Sequence, residues 1–174
     1  MAQQYPNALA VSRKLLRALI LLNLVLGLLI LALLAVSLLA EGPVMNALGV
    51  RDTAGREALI IGMRVVAILG LFAVPLAHVV LTRLKAIVDT VTVGDPFVAE
   101  NAARLQTIAW ALLGLELLHL VIGAVARLSS SDAQALYIDW NLSVTRWLAV
   151  LLCFVLARVF RQGSQMRDEL EGTV

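Results

Sequence analysis

The chain has 174 residues, of which 61% are hydrophobic and 15% charged, with a formal net charge of +2. A soluble domain is nearer half apolar and a quarter charged, and so short a chain cannot enclose this much apolar surface in one core; an ordinary water-soluble globule is excluded, and lipid is the expected solvent. The single cysteine, Cys153, excludes an internal disulfide and a C-x-x-C site, and the nearly balanced charge gives no ground for direct nucleic-acid binding.

Four stretches reach or approach the roughly 20 apolar residues that cross a hydrocarbon core. The expected spans are about 15–40, 58–81, 108–126 and 142–160, all helical, because lipid leaves an open chain no other way to satisfy its backbone groups. The first is dominated by leucine, with Asn23, Gly27 and Ser37 breaking its monotony. That run is too long for the h-region of a signal peptide, about 7–15 residues, so it is expected to be retained. Its uniformity predicts a lipid-facing or loosely packed helix. The loop that follows, "EGPVMNALGVRDTAGRE", has turn residues and room for one short helix.

The second span carries Arg64, Pro75 and His78; the third carries Glu116 and His119. Ionisable residues are costly in lipid and face protein or water. By helical rise, Arg64 lies about 9 Å and Glu116 about 15 Å from the outer ends of their spans, with His119 one turn above Glu116. These three are expected to form an intramembrane polar cluster, either a packing clamp or a ligand, proton or ion site. His78 and His119 differ in height by roughly 20 Å, which argues against a haem pair. Glu116-x-x-His119 has the spacing of carboxylate-bridged metal bundles but lacks a second such motif, so no metal is expected. Gly62 and Gly70 on the second span, with Gly114 and Gly123 on the third, predict close contact between those two helices.

Between the second and third spans lies "TVTVGDPFVAEN", residues 90–101. Leu84, Ile87, Val88 and Val91 before it keep helical spacing, so the second helix is expected to continue beyond the membrane. Gly94 then ends it, with Asp95 as N-cap and Pro96 as first residue of the next helix. The outcome is an extended cytoplasmic hairpin.

The last connection, residues 127–147, holds Tyr137, Trp140 and Trp147; it reads as an aromatic anchor at headgroup level or a lid, with a short strand or extended entry into the fourth span. After that span, the tail "SQMRDELEGTV" reads as a short helix capped by Ser164 or as a solvated end. Nine Lys and Arg residues (Arg13, Lys14, Arg17, Arg83, Lys85, Arg104, Arg158, Arg161 and Arg167) flank one side, against Arg51, Arg56, Arg127 and Arg146 on the other. The positive-inside rule then places both termini in the cytoplasm.

"GDPFVAENAARLQTIAW" and the tail "LARVFRQGSQMRDELEGTV" resemble a bacterial membrane family, the domain of unknown function numbered 2975. The resemblance rests on Gly94, Asp95, Pro96, Phe97, Asn101, Leu105, Ile108 and Trp110, and on the Ala-Arg-Val-Phe-Arg-x-Gly run of the tail. It extends over the whole length in the spacing of spans. It implies a bacterial inner-membrane location and, since some relatives are thought to be encoded beside one, a small helix-turn-helix regulator as partner.

No P-loop, G-x-S-x-G or H-E-x-x-H is present, so an enzyme is not expected, nor a cofactor. The expectation is therefore an all-α membrane protein, one domain over residues 1–174, with four transmembrane helices. It would act as a membrane partner or sensor that binds and regulates a cytoplasmic helix-turn-helix protein. The docking surface would comprise Asp95, Pro96, Phe97, Glu100, Asn101, Arg161, Arg167 and Glu169. The alternative is a small transporter or channel subunit using Arg64, Glu116 and His119. Either reading is compatible with a homo-oligomer.

Overall fold

The computed structural model describes residues 5–50, 55–92, 94, 98–130 and 143–171. They form five α-helices: α1 (Tyr5–Leu39), α2 (Glu41–Ala47), α3 (Arg56–Thr92), α4 (Ala99–Ser129) and α5 (Val144–Glu171). No strand occurs among the described residues. The region 131–142, expected to enter the last helix as a strand or extended segment, lies outside them.

Among the described residues, three helices are long and apolar enough to cross a membrane: Leu9–Leu39 within α1, and the whole of α3 and α4. They hold 31, 37 and 31 residues, against the roughly 20 that a bilayer core needs. α5 differs. Between Arg146 and Arg158 its charge-free run is 11 residues, about 16 Å of helix.

Helix ends follow from local chemistry. Gly94 adopts φ +93°, a left-handed conformation that an L side chain rarely takes, and its N–H donates to the Val91 carbonyl; α3 stops just before it, as expected of a glycine past a helix end. Val98 is non-helical and α4 begins at Ala99; Asp95 and Pro96, expected as cap and first residue of the helix, lie outside the described residues. Val98 offers its carbonyl to the Asn101 N–H at 2.9 Å. The short helix expected after the first span is α2.

The tail is corrected more sharply. α5 runs without a break through Gly163 to Glu171, so Ser164 caps nothing. Ser164 is buried and donates its hydroxyl to the Arg161 carbonyl at 3.0 Å, a bond within its own helix. Ala157, two turns earlier on the same stripe, is buried as well. The last turns of α5 are thus a packed helix with one covered face.

The contacts group into two compact units: Met1–Asn23, Leu76–Gly114 and Ser143–Val174 make one, Leu24–Pro75 and Leu115–Leu142 the other. In the first unit, Thr90 of α3 bonds Asn101 of α4, so those helices are antiparallel neighbours. α4 and α5 meet at Trp110 and Phe154, whose rings stand edge to face with centroids 5.2 Å apart. Gly114 also lets α4 close on α3: a Cβ there would sit 3.3 Å from Leu76 Cδ1.

In the second unit, α2 folds under a small core of Met45, Val50, Leu59 and Ile60. The tightest helix contact is at Gly27, where a Cβ would fall 2.9 Å from Val74 Cγ1; Gly70, by comparison, has only Ile30 at 4.0 Å. α1 thus packs closely on α3 at one glycine. Most of its leucines stay uncovered, with Leu21 and Leu28 both more than 60% exposed, while Leu16 is buried. A side chain bare of protein along a helix this apolar suits contact with lipid tails, as its uniform leucine predicts.

Candidate functional site

Two polar clusters stand out, one in each unit. The first lies at the α3–α4 hairpin. Asn101 is wholly buried, and its amide serves both helices: Nδ2 donates to Thr90 Oγ1 at 2.7 Å, and Oδ1 accepts from Arg104 Nη1 at 2.7 Å. The Thr90 hydroxyl in turn donates to the Ile87 carbonyl at 2.7 Å. Arg104 lies within reach of the Ala86 carbonyl as well, at 3.5 Å. A buried amide costs little once its donors and acceptors are matched, and here they are matched across two helices. The hairpin is therefore latched shut by a neutral group.

The end of α3 is also tied to α1. Arg13 Nη2 donates to Thr92 Oγ1 at 2.8 Å, while Arg13 Nε lies 2.7 Å from Asp89 Oδ1. Asp89 also accepts from Lys85 Nζ at 2.6 Å, the i,i+4 partner on its own helix. One carboxylate thus gathers two cations at the base of the hairpin.

Of the residues expected to dock a partner, Asp95, Pro96 and Phe97 lie outside the described residues. Glu100 is exposed in the first turn of α4, where its charge suits the helix N-terminus. Asn101 is placed differently from expectation: fully covered, it holds the hairpin together and presents nothing outward. Arg161 is exposed on α5 and donates to Gln106 Oε1 of α4, joining the tail to the base of the hairpin within the same unit. Arg167 and Glu169 are exposed on the last turns of α5.

The second cluster centres on Arg64 in α3. Its Nη2 donates to the Ser37 carbonyl at 2.6 Å and to Glu41 Oε2 at 2.8 Å. Ser37 is itself buried, its hydroxyl turned back to the Leu34 carbonyl. The partners of Arg64 are thus the end of α1 and the start of α2, where a pairing with Glu116 was expected. The physical reason is reach: the short helix α2 places a carboxylate beside Arg64, and the end of α1 adds a carbonyl no longer needed by its own ladder. Glu116 and His119 are half-buried on α4, and His119 Nε2 is enclosed with no hydrogen-bond partner.

Sequence reasoning missed Glu41, Asp89, Lys85 and Thr90. The Lys85–Asp89 spacing was a readable signal. Nothing local marks Glu41 or Thr90, whose partners lie 23 and 11 residues away.

An all-helical chain with three helices of membrane-crossing length and apolarity, carrying its polar groups in two small clusters, is of the polytopic membrane class. Within that class it belongs to the family described as protein of unknown function (DUF2975), whose profile matches residues 41–174. The match begins at α2, so α1 lies outside it, and the likeness is narrower than the whole length expected from the spacing of spans. No curated protein and no solved structure matches the chain.

Proposed function

We propose that the protein is a bacterial inner-membrane protein with four spans and both termini in the cytoplasm. It is a non-enzymatic partner or sensor that binds and regulates a small cytoplasmic helix-turn-helix transcription regulator. The observation that carries this reading is the latched hairpin. α3 has 37 residues, about 55 Å of helix against a core of about 30 Å. The surplus is held in one shape by the buried Asn101, with α5 joined to it through Arg161 and Gln106. A rigid protrusion unneeded for spanning is what a docking surface requires, because little ordering is left to be done on binding. The fourth span is supported by the position of Arg146 and Arg158, whose long side chains reach the two membrane faces from a short apolar run.

Two experiments test this. Reporter fusions after Ser130 and after Val174 should report opposite sides, with Val174 cytoplasmic; a cytoplasmic signal at Ser130 overturns the topology. Glu100→Lys alters an exposed charge at the hairpin and should keep folded yield while removing the soluble partner from co-purification. If every partner found with the intact protein survives that change, the hairpin is not the docking surface.

One observation favours the second reading, a small transporter or channel subunit. Among the described residues, His119 Nε2 is enclosed with no hydrogen-bond partner, and a polar group so placed in an apolar helix is a candidate ligand-facing group. Proteoliposomes that pass protons or ions, and stop doing so with His119→Ala, would establish it over the docking reading. The position of Arg64 counts the other way, since Glu41 already neutralises it.

A further inference from the structure

Within the first unit, α4 and α5 border an open cleft of about 670 Å³, a size typical of small-molecule sites. Phe154 and Val155 line it, then Arg158, Arg161 and Gln165 along α5, with Gln106 across from them on α4. The order along α5 matters. Over about 16 Å of helix, from residue 154 to 165, the wall changes from hydrocarbon to guanidinium to amide. Val155 is half exposed, continuing the uncovered apolar face formed by Leu148, Leu151 and Leu152 on the same helix.

The charge of this cleft is not compensated. Among the described residues, no carboxylate lines it. Arg161 is held by a neutral amide oxygen, that of Gln106, and so keeps its full charge. Arg158 is exposed, with no ion pair or hydrogen bond among the described residues. Three cations elsewhere do have a carboxylate: Arg13 and Lys85 face Asp89, and Arg64 faces Glu41. Two guanidiniums about one helical turn apart, neither with a carboxylate partner among the described residues, stand above an apolar wall and suit a phosphate that carries acyl chains. Arginine pairs with phosphate oxygens through two parallel N–H donors, and basic pockets between membrane helices are suited to anionic headgroups.

We propose that the α4–α5 cleft binds the phosphate headgroup of an anionic phospholipid, Arg158 and Arg161 gripping the phosphate, Gln165 and Gln106 donating to headgroup oxygens, and the acyl chains lying along Phe154 and Val155. The proposal rests on the reading of α5 as a membrane helix. It needs neither the soluble partner nor an assigned orientation.

The test uses the full-length protein purified in a neutral detergent. Native mass spectrometry compares retention of phosphatidylglycerol and phosphatidylcholine with identical acyl chains. The intact protein should keep the anionic lipid at least tenfold better, and R158Q, at an exposed and unbonded position, should cut that preference severalfold without loss of folded yield. R158Q together with R161Q should abolish it. R158K separates charge from geometry: it should hold an intermediate preference. Inorganic phosphate at millimolar concentration forms a separate arm. If it raises the thermal midpoint as far as the lipid does and displaces the lipid, the site takes a soluble phosphate and the lipid assignment is overturned. An unchanged lipid preference in the folded R158Q and R158Q/R161Q proteins overturns the site itself. A cytoplasmic reporter signal at Ser130, by contrast, would remove the topology and leave the lipid measurement standing.

Discussion

The two units anchor their helices with different chemistry. Around Asn101 the anchor is a neutral amide, buried to 0% exposure, with donor and acceptor both matched. Around Arg64 it is a charge pair left partly open, the Arg and Glu41 side chains retaining 23% and 47% of their surface. The difference follows from desolvation. An amide loses only hydrogen bonds on burial and recovers them from two neighbours; an ion pair loses far more and recovers it only with near-perfect geometry, so it stays near an accessible edge. Complete burial should therefore make the neutral anchor the stiffer of the two, although it carries no charge.

That contrast can be broken in order of effect. Asn101→Leu keeps the branched shape of the side chain and removes the interhelical bond to Thr90 together with the bond to Arg104 within α4, leaving an Arg104 donor unmatched; a loss of about 2–3 kcal/mol is expected, at the upper end for an unsatisfied buried group. Detergent-denaturant titration followed by circular dichroism measures it, and a cost below that of the Arg64 pair would reverse the comparison. Gly27→Ala comes next. Its new Cβ would meet Val74 Cγ1 at 2.9 Å, and overpacking of this kind costs about 1–2 kcal/mol. Val74→Ala in the same chain should recover most of that, and the double variant's thermal midpoint is the readout.

The charged anchor should respond less. A double-mutant cycle of Arg64→Met with Glu41→Gln is expected to give a coupling of about 1 kcal/mol or less, reduced because both groups remain accessible. The parallel cycle of Arg64→Met with Glu116→Gln should be additive; coupling there would restore the pair first expected from the spans. Smallest of all is Arg13→Gln. Arg13 and Asp89 are both more than a third exposed, so the change should cost a few tenths of a kcal/mol and fade as salt is raised. Thermal midpoints at low and high salt decide it.

Much of the architecture was legible because it rests on composition and on single-residue chemistry. Helices were dictated by apolar runs, the end of α3 by Gly94, and the exposed character of α1 by its leucines. The site was read less well. Gly163 followed by Ser164 looked like a break and a cap, but packing along the Ala157–Ser164 face carries α5 straight through. Asn101 looked like an outward polar residue because a polar residue in a hairpin usually is one.

By itself, the sequence determined the solvent, the secondary structure and the rough length of each helix, since these depend on how many apolar residues follow one another. It also determined which ionisable groups had to find partners. Only the tertiary structure decided which partners they found: Glu41 for Arg64, Thr90 and Arg104 for Asn101, Gln106 for Arg161. Those choices depend on the angle at which helices meet and on which side chain arrives within about 3 Å, a distance at which hydrogen bonds form or fail. A pattern along the chain sets which face a residue occupies, but in the pairs between helices the group opposite it is 11 to 55 residues away.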